Sequence, residues 1–516
     1  MKILPYLLPV SGCAGFLFAA QSRPNLLVLL TDDQRLNTLG CYDASCPINT
    51  SAIDRLANEG IRFDNGFVTT PICVVSRASI LTGRYATNTR LHQFQTIMAE
   101  DVFNQSYPVI LRDAGYFTGQ LGKYGVGIRP DQKKQFDVYE AQDGQGPAFR
   151  DYQGRKVHDS EWLTIKTEEF LNRVPAGKPF ALQVNYKAPH GSAAVAPEDD
   201  HLLDDYDFPF HPMDNPEERA KLPEFVQKSF LDVCYRQEFM GKIGDHNPFL
   251  RDYFEKIYSV ERSVGTILKM LEERKLLKNT VIVFLSDHGA HFGEKQLYGK
   301  WTPYEGSLRT PFIIYDPRPQ SQKGVVNTEM VLNIDIAPTL LELAGVPVPE
   351  IMDGKSLVPL ITGKQTAWRD HFFFEHFTSP AMARYIPRHV GIRTKTDKYF
   401  HWIDPQCDTE EYYDLALDPF ESNNLISNPD YSHKVNELRN QYLAWRKEHP
   451  STYNYDPYGR RAQAIAPEID WNEFKKVRPE IYQEIEKQLK SLGVTWDQAM
   501  AWEVRYEIGS KIGYWY

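Results

Sequence analysis

Two stretches of the chain are apolar at almost every position and then turn acidic. They are Asn25-Leu-Leu-Val-Leu-Leu-Thr-Asp-Asp33 and Thr280-Val-Ile-Val-Phe-Leu-Ser-Asp-His-Gly289. Neither shows the alternation of a strand with one wet face, so both predict buried, parallel strands. Phe117–Leu121, Thr310–Tyr315 and the run from Pro179 towards His190 predict further strands. Helical periodicity recurs between them. Residues 50–60 predict a helix with Thr50 and Ser51 as caps and Gly60 as the stop. Tyr107 to Gly115 and Asp335 to Gly345 predict shorter ones, the latter closed by its glycine. Residues 248–276 predict a long amphipathic helix with Phe254, Ile257, Tyr258, Val264 and Ile267 on its apolar side. After a β-like run from Phe67 to Ile72, a short helical pattern begins at Cys73 and stops at Gly83. Ligand sites in open α/β sheets lie at the C-terminal ends of the strands, where the acids stand.

The pattern changes near residues 362–376. Beyond it Val390–Arg393, Lys398–Trp402 and Glu411–Leu415 read as an antiparallel sheet in a smaller domain, with a helix from about 431 to 448 packed on it. The chain therefore divides into a leader, 1–21, an N-terminal domain, 22–375, and a C-terminal part, 376–516. Residues 191–247 are polar and weakly periodic, a long insertion near the site that is suited to shaping a substrate. The tail, 450–516, is rich in Tyr and Trp. It reads either as packing across the domain junction or as aromatic platforms for sugar rings.

Composition narrows the function. A chain of 516 residues suggests two domains. A net charge of −10 excludes a global basic field, so no nucleic-acid partner is expected, and an anionic substrate must meet a local basic pocket. Lys2, the mostly apolar run Ile3–Ala20 and the small residues before Gln21 read as a secretory signal, which places the protein in the periplasm or outside the cell. Pro5, Pro9, Ser11 and Gly12 interrupt that run and argue against a membrane anchor. Val10-Ser11-Gly12-Cys13 also looks like a lipoprotein processing box, the alternative being anchorage through Cys13. No transmembrane segment remains after signal cleavage. Five cysteines then remain, an odd number, so at least one is unpaired.

Asp32 and Asp33 at one strand end, with Asp287 and His288 at another, suit a two-sided clamp for a hard divalent cation. Cys73 at the mouth of a helix faces helix-end N–H groups, and Arg77 adds a planar fork for sulfate or phosphate oxygens. Lys187 and His190 fall at a third strand end, with Pro189 restricting the backbone before the ring.

The run Cys73-Val-Val-Ser-Arg-Ala-Ser-Ile-Leu-Thr-Gly83 resembles the sulfatase signature, in which Cys or Ser, any residue, Pro, Ser and Arg lead to Leu-Thr-Gly. Cys73, Ser76, Arg77, Leu81, Thr82 and Gly83 are in register, and Val75 stands at the usual proline. Gly122-Lys-Tyr-Gly-Val-Gly127 resembles a second motif of that family, with Lys123 matching its lysine and Gly125 replacing its histidine. Pro189-His190, Asp287-His288 and the segment from Gly293 through Lys300 to Pro311 continue the resemblance in order. It implies an alkaline-phosphatase-like α/β fold: a central mixed, mostly parallel sheet flanked by helices, with a smaller C-terminal α+β domain of antiparallel sheet and helix. It implies that Cys73 is oxidised to formylglycine by a formylglycine-generating or sulfatase-maturating enzyme. It implies one calcium ion (Ca2+) held by Asp32, Asp33, Asp287 and His288, with the residue at position 73 bound to it. In such a site the hydrated aldehyde attacks sulfur, Arg77, Lys123 and Lys300 offset charge on the sulfuryl oxygens, and His190 protonates the leaving alcohol. The implied activity is hydrolysis of sulfate esters, with a sulfated saccharide as substrate. Two alternatives stand beside it. One is a phosphoesterase or phosphonate hydrolase of the same superfamily, since sulfate carries one charge fewer than phosphate. The other is a non-catalytic glycan-binding relative, to which Val75 and Gly125 point.

Overall fold

The computed structural model describes residues 23–449 except 93–96, 242–243, 365–366, 378–385 and 405–406, then the backbone of Asn454–Asp456 and Arg460–Gln463 and four residues between 483 and 490. The readings of the leader, of Cys13 and of the aromatic tail's side chains lie outside the described residues.

An eight-stranded sheet forms the centre. Its order is Val325–Asn327, Ile61–Phe63, Phe312–Tyr315, Thr280–Ser286, Asn25–Asp32, Phe180–Pro189, Phe117–Lys123 and Val138–Gln142. Only Phe312–Tyr315 runs against its neighbours; every other pairing is parallel. Asn25–Asp32 is buried along its whole length and divides its side chains by the two-residue period of a strand. Leu26, Val28 and Leu30 enter one apolar cluster, and Leu27 and Leu29 the other. Each face thus needs its own helical cover. The helices Cys73–Thr82 and Ile336–Leu343 lie on one side, and Ser51–Asn58 and Asn247–Glu273 on the other.

The register decides where the chemistry falls. Leu30 lies opposite Leu285 and Thr31 opposite Ser286, so Asp32-Asp33 and Asp287-His288 leave the sheet side by side. On the other flank Asp32 lies opposite Pro189, one residue before His190. The next strand out ends at Lys123.

Several elements differ from expectation for local reasons. Of the β-like run Phe67 to Ile72, only Gly66–Phe67 is strand. The rest is held by single hydrogen bonds, such as Val68 N–H to the Leu308 carbonyl and Thr69 N–H to Asn333 Oδ1. Thr50 does not cap Ser51–Asn58, because its hydroxyl donates to Asp54 Oδ2 at 2.9 Å. Glu261, from the long helix Asn247–Glu273, accepts instead from the N–H groups of Ala52, at 2.6 Å, and Ile53, at 3.0 Å. That long helix buries Phe254, Ile257, Val264 and Ile267, with Tyr258 at its half-buried edge.

The C-terminal sheet has four antiparallel strands: His371–His376, His389–Thr394, Asp397–Trp402 and Thr409–Asp414. The helix Ser432–Glu448 covers it with Val435, Leu438, Tyr442 and Trp445. His371–His376 went unread in the sequence because it lacks alternation. It lies between two partners, with Phe372 against Phe67 and Phe373 stacked on Trp445. Among the described residues no helix is long and apolar enough to cross a membrane.

Candidate active site

Cys73 is the first residue of the helix Cys73–Thr82, whose N-cap, Ile72, offers no side-chain hydrogen bond. The first-turn N–H groups therefore lack side-chain caps, and the thiol sits in the positive field of that helix end. The buried thiol lies within electrostatic reach of His288, Arg77 and Lys300. Val75 is the third helical residue. Its N–H has no intrahelical partner in any α-helix, so no helix hydrogen bond distinguishes valine from proline there. Val75 is fully buried.

Arg77 is wholly enclosed and fully engaged. Nε donates to Asp287 Oδ2 at 2.9 Å, and Nη2 pairs with Asp32 Oδ2 at 3.2 Å. Nη1 donates to the Lys123 carbonyl and to Asn185 Oδ1. The Lys123 ammonium pairs with Asp32, and Lys300 Nζ lies 2.6 Å from Asp33 Oδ1. Burial pushes Asp32 up, yet the Lys123 and Arg77 charges outweigh it and hold Asp32 well below the usual carboxylate range. Burial leaves Asp33 raised despite Lys300 and His288, with Asp32 and Asp287 adding to the rise.

The carboxylates and His288 converge. One ligand atom from each of Asp32, Asp33, Asp287 and His288 lies within 4.8 Å of the others. His288 Nδ1 stands 3.0 Å from the Gly289 carbonyl, so an Nδ1–H donor there turns the Nε2 lone pair toward the acids. Asp32 Oδ1 and His288 Nε2 are buried with no hydrogen-bond partner. Asp33 holds a left-handed backbone, φ 63°, with its N–H donating to Asp287 Oδ1. Three carboxylates and an imidazole with orphaned, buried acceptors fit a divalent cation.

His190 completes the ring of charged groups, its Nε2 3.7 Å from Asp33 Oδ2. Nδ1 accepts from the Ser192 N–H at 3.1 Å, and Nε2 stands 3.4 Å from the Gln145 side-chain amide. Burial, then Lys300 and Lys123, hold its pKa well below the ordinary value. Asp32, Asp33, Cys73, Arg77, Lys123, His190, Asp287, His288 and Lys300 thus meet at one end of the sheet.

Asn185 was missed there. It is a buried amide within a strand, and it orients Arg77 while donating to the Leu121 carbonyl at 2.9 Å. A polar residue inside an otherwise apolar strand was the available signal. Gly125 has a steric cause. Its φ is +78°, and a Cβ there would stand 2.6 Å from Arg77 Cδ, so the arginine stem occupies the space a side chain would need. Lys187 donates to the Gly146 carbonyl at 2.9 Å, and burial pushes its pKa down to about 8.

Beside Asp33, His190 and Lys300 opens a cavity of about 360 Å³. Phe249, Phe292 and Tyr298 wall it, and the 191–247 insertion supplies Phe230, Cys234 and Glu238. The short helices Pro216–Ala220, Glu224–Gln227 and Phe230–Cys234 give that insertion its form. Burial pushes Glu238 up to about 7. Cys41, Cys46, Cys73, Cys234 and Cys407 are all free thiols.

Comparison with known proteins covers the part of the chain that carries this site. The sulfatase family profile matches residues 24–346, and the N-sulphoglucosamine sulphohydrolase C-terminal profile matches 293–448. The N-acetylglucosamine-6-O-sulfatase of Bacteroides thetaiotaomicron is 30% identical over 498 residues, covering 84% of this chain and 88% of its own. The solved structure of an enzyme in complex with its substrate D-glucosamine-2-N,6-O-disulfate superposes with a TM-score of 0.71 at 28% identity, covering 83% of this chain and 98% of that one. A phosphonate monoester hydrolase from Silicibacter pomeroyi shares the fold, with a TM-score of 0.70 at 20% identity, covering 83% and 96%. The ordered motifs, the sheet that brings them together and these matches agree: the chain belongs to the sulfatase family, sulfuric ester hydrolases of the alkaline-phosphatase-like superfamily.

Proposed function

We propose that the protein hydrolyses the sulfate ester of a sulfated saccharide, with Cys73 oxidised to formylglycine and calcium held by Asp32, Asp33, Asp287 and His288 together with position 73. The observation that carries this reading is the aromatic-walled cavity beside Asp33, His190 and Lys300, large enough for a sugar ring. The relatives named for N-acetylglucosamine 6-sulfate and glucosamine disulfate support the same class.

Formylglycine at position 73 would supply a hydrated aldehyde as the nucleophile. Calcium supplies Lewis acidity toward a sulfate oxygen and the nucleophile. The protein's own groups do the rest. Lys123 and Lys300 present fixed positive charge to the sulfuryl oxygens. Arg77 has its N–H groups committed to Asp32, Asp287, Asn185 and Lys123. It therefore positions the acids and offsets charge through the field rather than by binding sulfate directly. His190 stands at the cavity wall as the acid for the leaving alcohol. A bound sulfate between it and the lysines cancels part of their charge and favours the imidazolium, whose second proton falls on Nδ1 beside Ser192 Oγ, 3.0 Å away.

The leader directs export to the periplasm or beyond, with anchorage through Cys13 as the alternative, and a maturating enzyme acts on position 73. We divide the described chain ahead of His371, because that strand pairs within the C-terminal sheet.

The test is release of sulfate from a panel of defined sulfated saccharides by protein co-expressed with a maturating enzyme. 4-Nitrophenyl sulfate and 4-nitrophenyl phosphate run alongside, and peptide mass spectrometry reads position 73. The expected result is saccharide desulfation with the aldehyde at 73. Faster turnover of the phosphate ester than of every sulfate would overturn the substrate class. Full activity with an unmodified thiol would overturn the nucleophile.

A further inference from the structure

We propose that Glu238 is a specificity-determining residue that excludes sugars bearing a second anionic group beside the scissile sulfate ester. This deepens the saccharide reading above and rests on it. The cavity's positive charge lies at one end. Lys300 and His190 stand there, with Lys300 already paired to Asp33. Beyond that end the wall is largely aromatic, and its charged groups are Glu238 and Asp252. Asp252 is neutralised by Lys256, one helical turn on. Glu238 has no cation within ion-pair distance among the described residues, and its carboxylate receives only the Cys234 thiol, 3.6 Å from Oε1. It lines the same cavity as Asp33, Lys300 and Tyr298.

A ring seated against Phe249 and Tyr298 with its sulfate at Lys300 has its remaining substituents facing this carboxylate. A hydroxyl donates to it, and an acetyl group packs on the aromatic wall. A sulfamate or a uronic carboxylate meets like charge in a desolvated cavity with no cation to offset it, and such juxtapositions are strongly disfavoured.

The discriminating pair is N-acetylglucosamine 6-sulfate and D-glucosamine-2-N,6-O-disulfate, which differ at nitrogen in charge and share the 6-sulfate. Binding is measured calorimetrically at pH 8 on the full chain carrying Cys73→Ala, so that no turnover intervenes, and kcat/KM is measured on the matured enzyme. The expected result is at least about tenfold preference for the monosulfate. Glu238→Gln, close in size, narrows that preference to about threefold or less, chiefly by tightening the disulfate. Glu238→Ala repeats the measurement should the amide form bonds of its own. Equal affinity for both ligands in the parent chain overturns the inference, as does an unchanged ratio in both variants or no binding by either sugar. Selective binding without any sulfate release would instead sink the hydrolytic reading and leave this one standing.

Discussion

His190 separates binding from proton transfer. It sits at the cavity wall with Nε2 turned toward the site and Nδ1 fixed by the Ser192 N–H. A sugar alkoxide is a poor leaving group, whereas a nitrophenolate needs no proton. His190→Ala should therefore lose about 10²–10⁴-fold in kcat on a sulfated sugar and far less on 4-nitrophenyl sulfate. Equal losses on the two substrates would make His190 a sulfate-binding group. Gly125 raises the opposite question, whether a side chain restored at a vacant position helps. Space decides against it: a Cβ would stand 2.6 Å from Arg77 Cδ on a backbone with φ +78°. Gly125→Ala should cost about 1–2 kcal/mol in backbone strain alone. It should also lower kcat/KM on both substrates by displacing Arg77 from Asp32 and Asp287. Activity at or above the parent level would show that the arginine stem yields freely.

At the scale of elements, the strands and their acidic ends were legible because burial on both faces leaves an unbroken apolar run, and a carboxylate can follow it only at the sheet's edge. Asp32, Asp33, Asp287 and His288 were readable for that reason. The caps were less so, since capping can come from a distant element. Thr50 had the right residue type, but Glu261 does the work from a neighbouring helix. That substitution has a pH signature. Burial pushes Glu261 up to about 7, the two N–H groups only partly opposing it. In the unfolded chain a glutamate titrates near ~4.3. The folded state thus binds the extra proton between these values, and the stability it contributes is full below about 4.3 and falls as pH rises toward about 7. Relative to Glu261→Gln, the parent should lose up to about 3 kcal/mol across that window, read from urea midpoints at pH 4.5 and 8. Parallel profiles for the two proteins would show that the helix end, rather than burial, sets the proton affinity.

At the scale of the whole molecule, the join between catalytic sheet and C-terminal sheet was the least legible feature, because it is built from charges that look solvated in a sequence. Lys398, on the strand Asp397–Trp402, is fully buried. Its ammonium reaches Glu421 at 2.6 Å, Glu305 at 2.8 Å and the Pro303 carbonyl at 3.0 Å. Glu305 also takes Arg393 at 3.3 Å, and its N–H donates to Glu421 Oε2. Despite burial, Lys398 and Arg393 hold Glu305 far below the ordinary carboxylate range. The segment pinned in this way begins a few residues after Lys300, so the C-terminal sheet fixes the loop that carries a sulfate-facing lysine. Lys398→Met keeps the stem and removes the charge. It strands Glu421 in the interior and should cost about 3–5 kcal/mol, measured by urea unfolding. KM for a sulfated sugar should rise as the 300–305 segment loosens. Adding Glu421→Gln removes the stranded charge and should restore part of the stability, since two neighbours in one network do not act additively. The loop remains unpinned in that double variant, so KM stays high while the urea midpoint recovers. A midpoint no better in the double variant than in Lys398→Met would show that lost packing, rather than an uncompensated carboxylate, sets the cost of separating the two sheets.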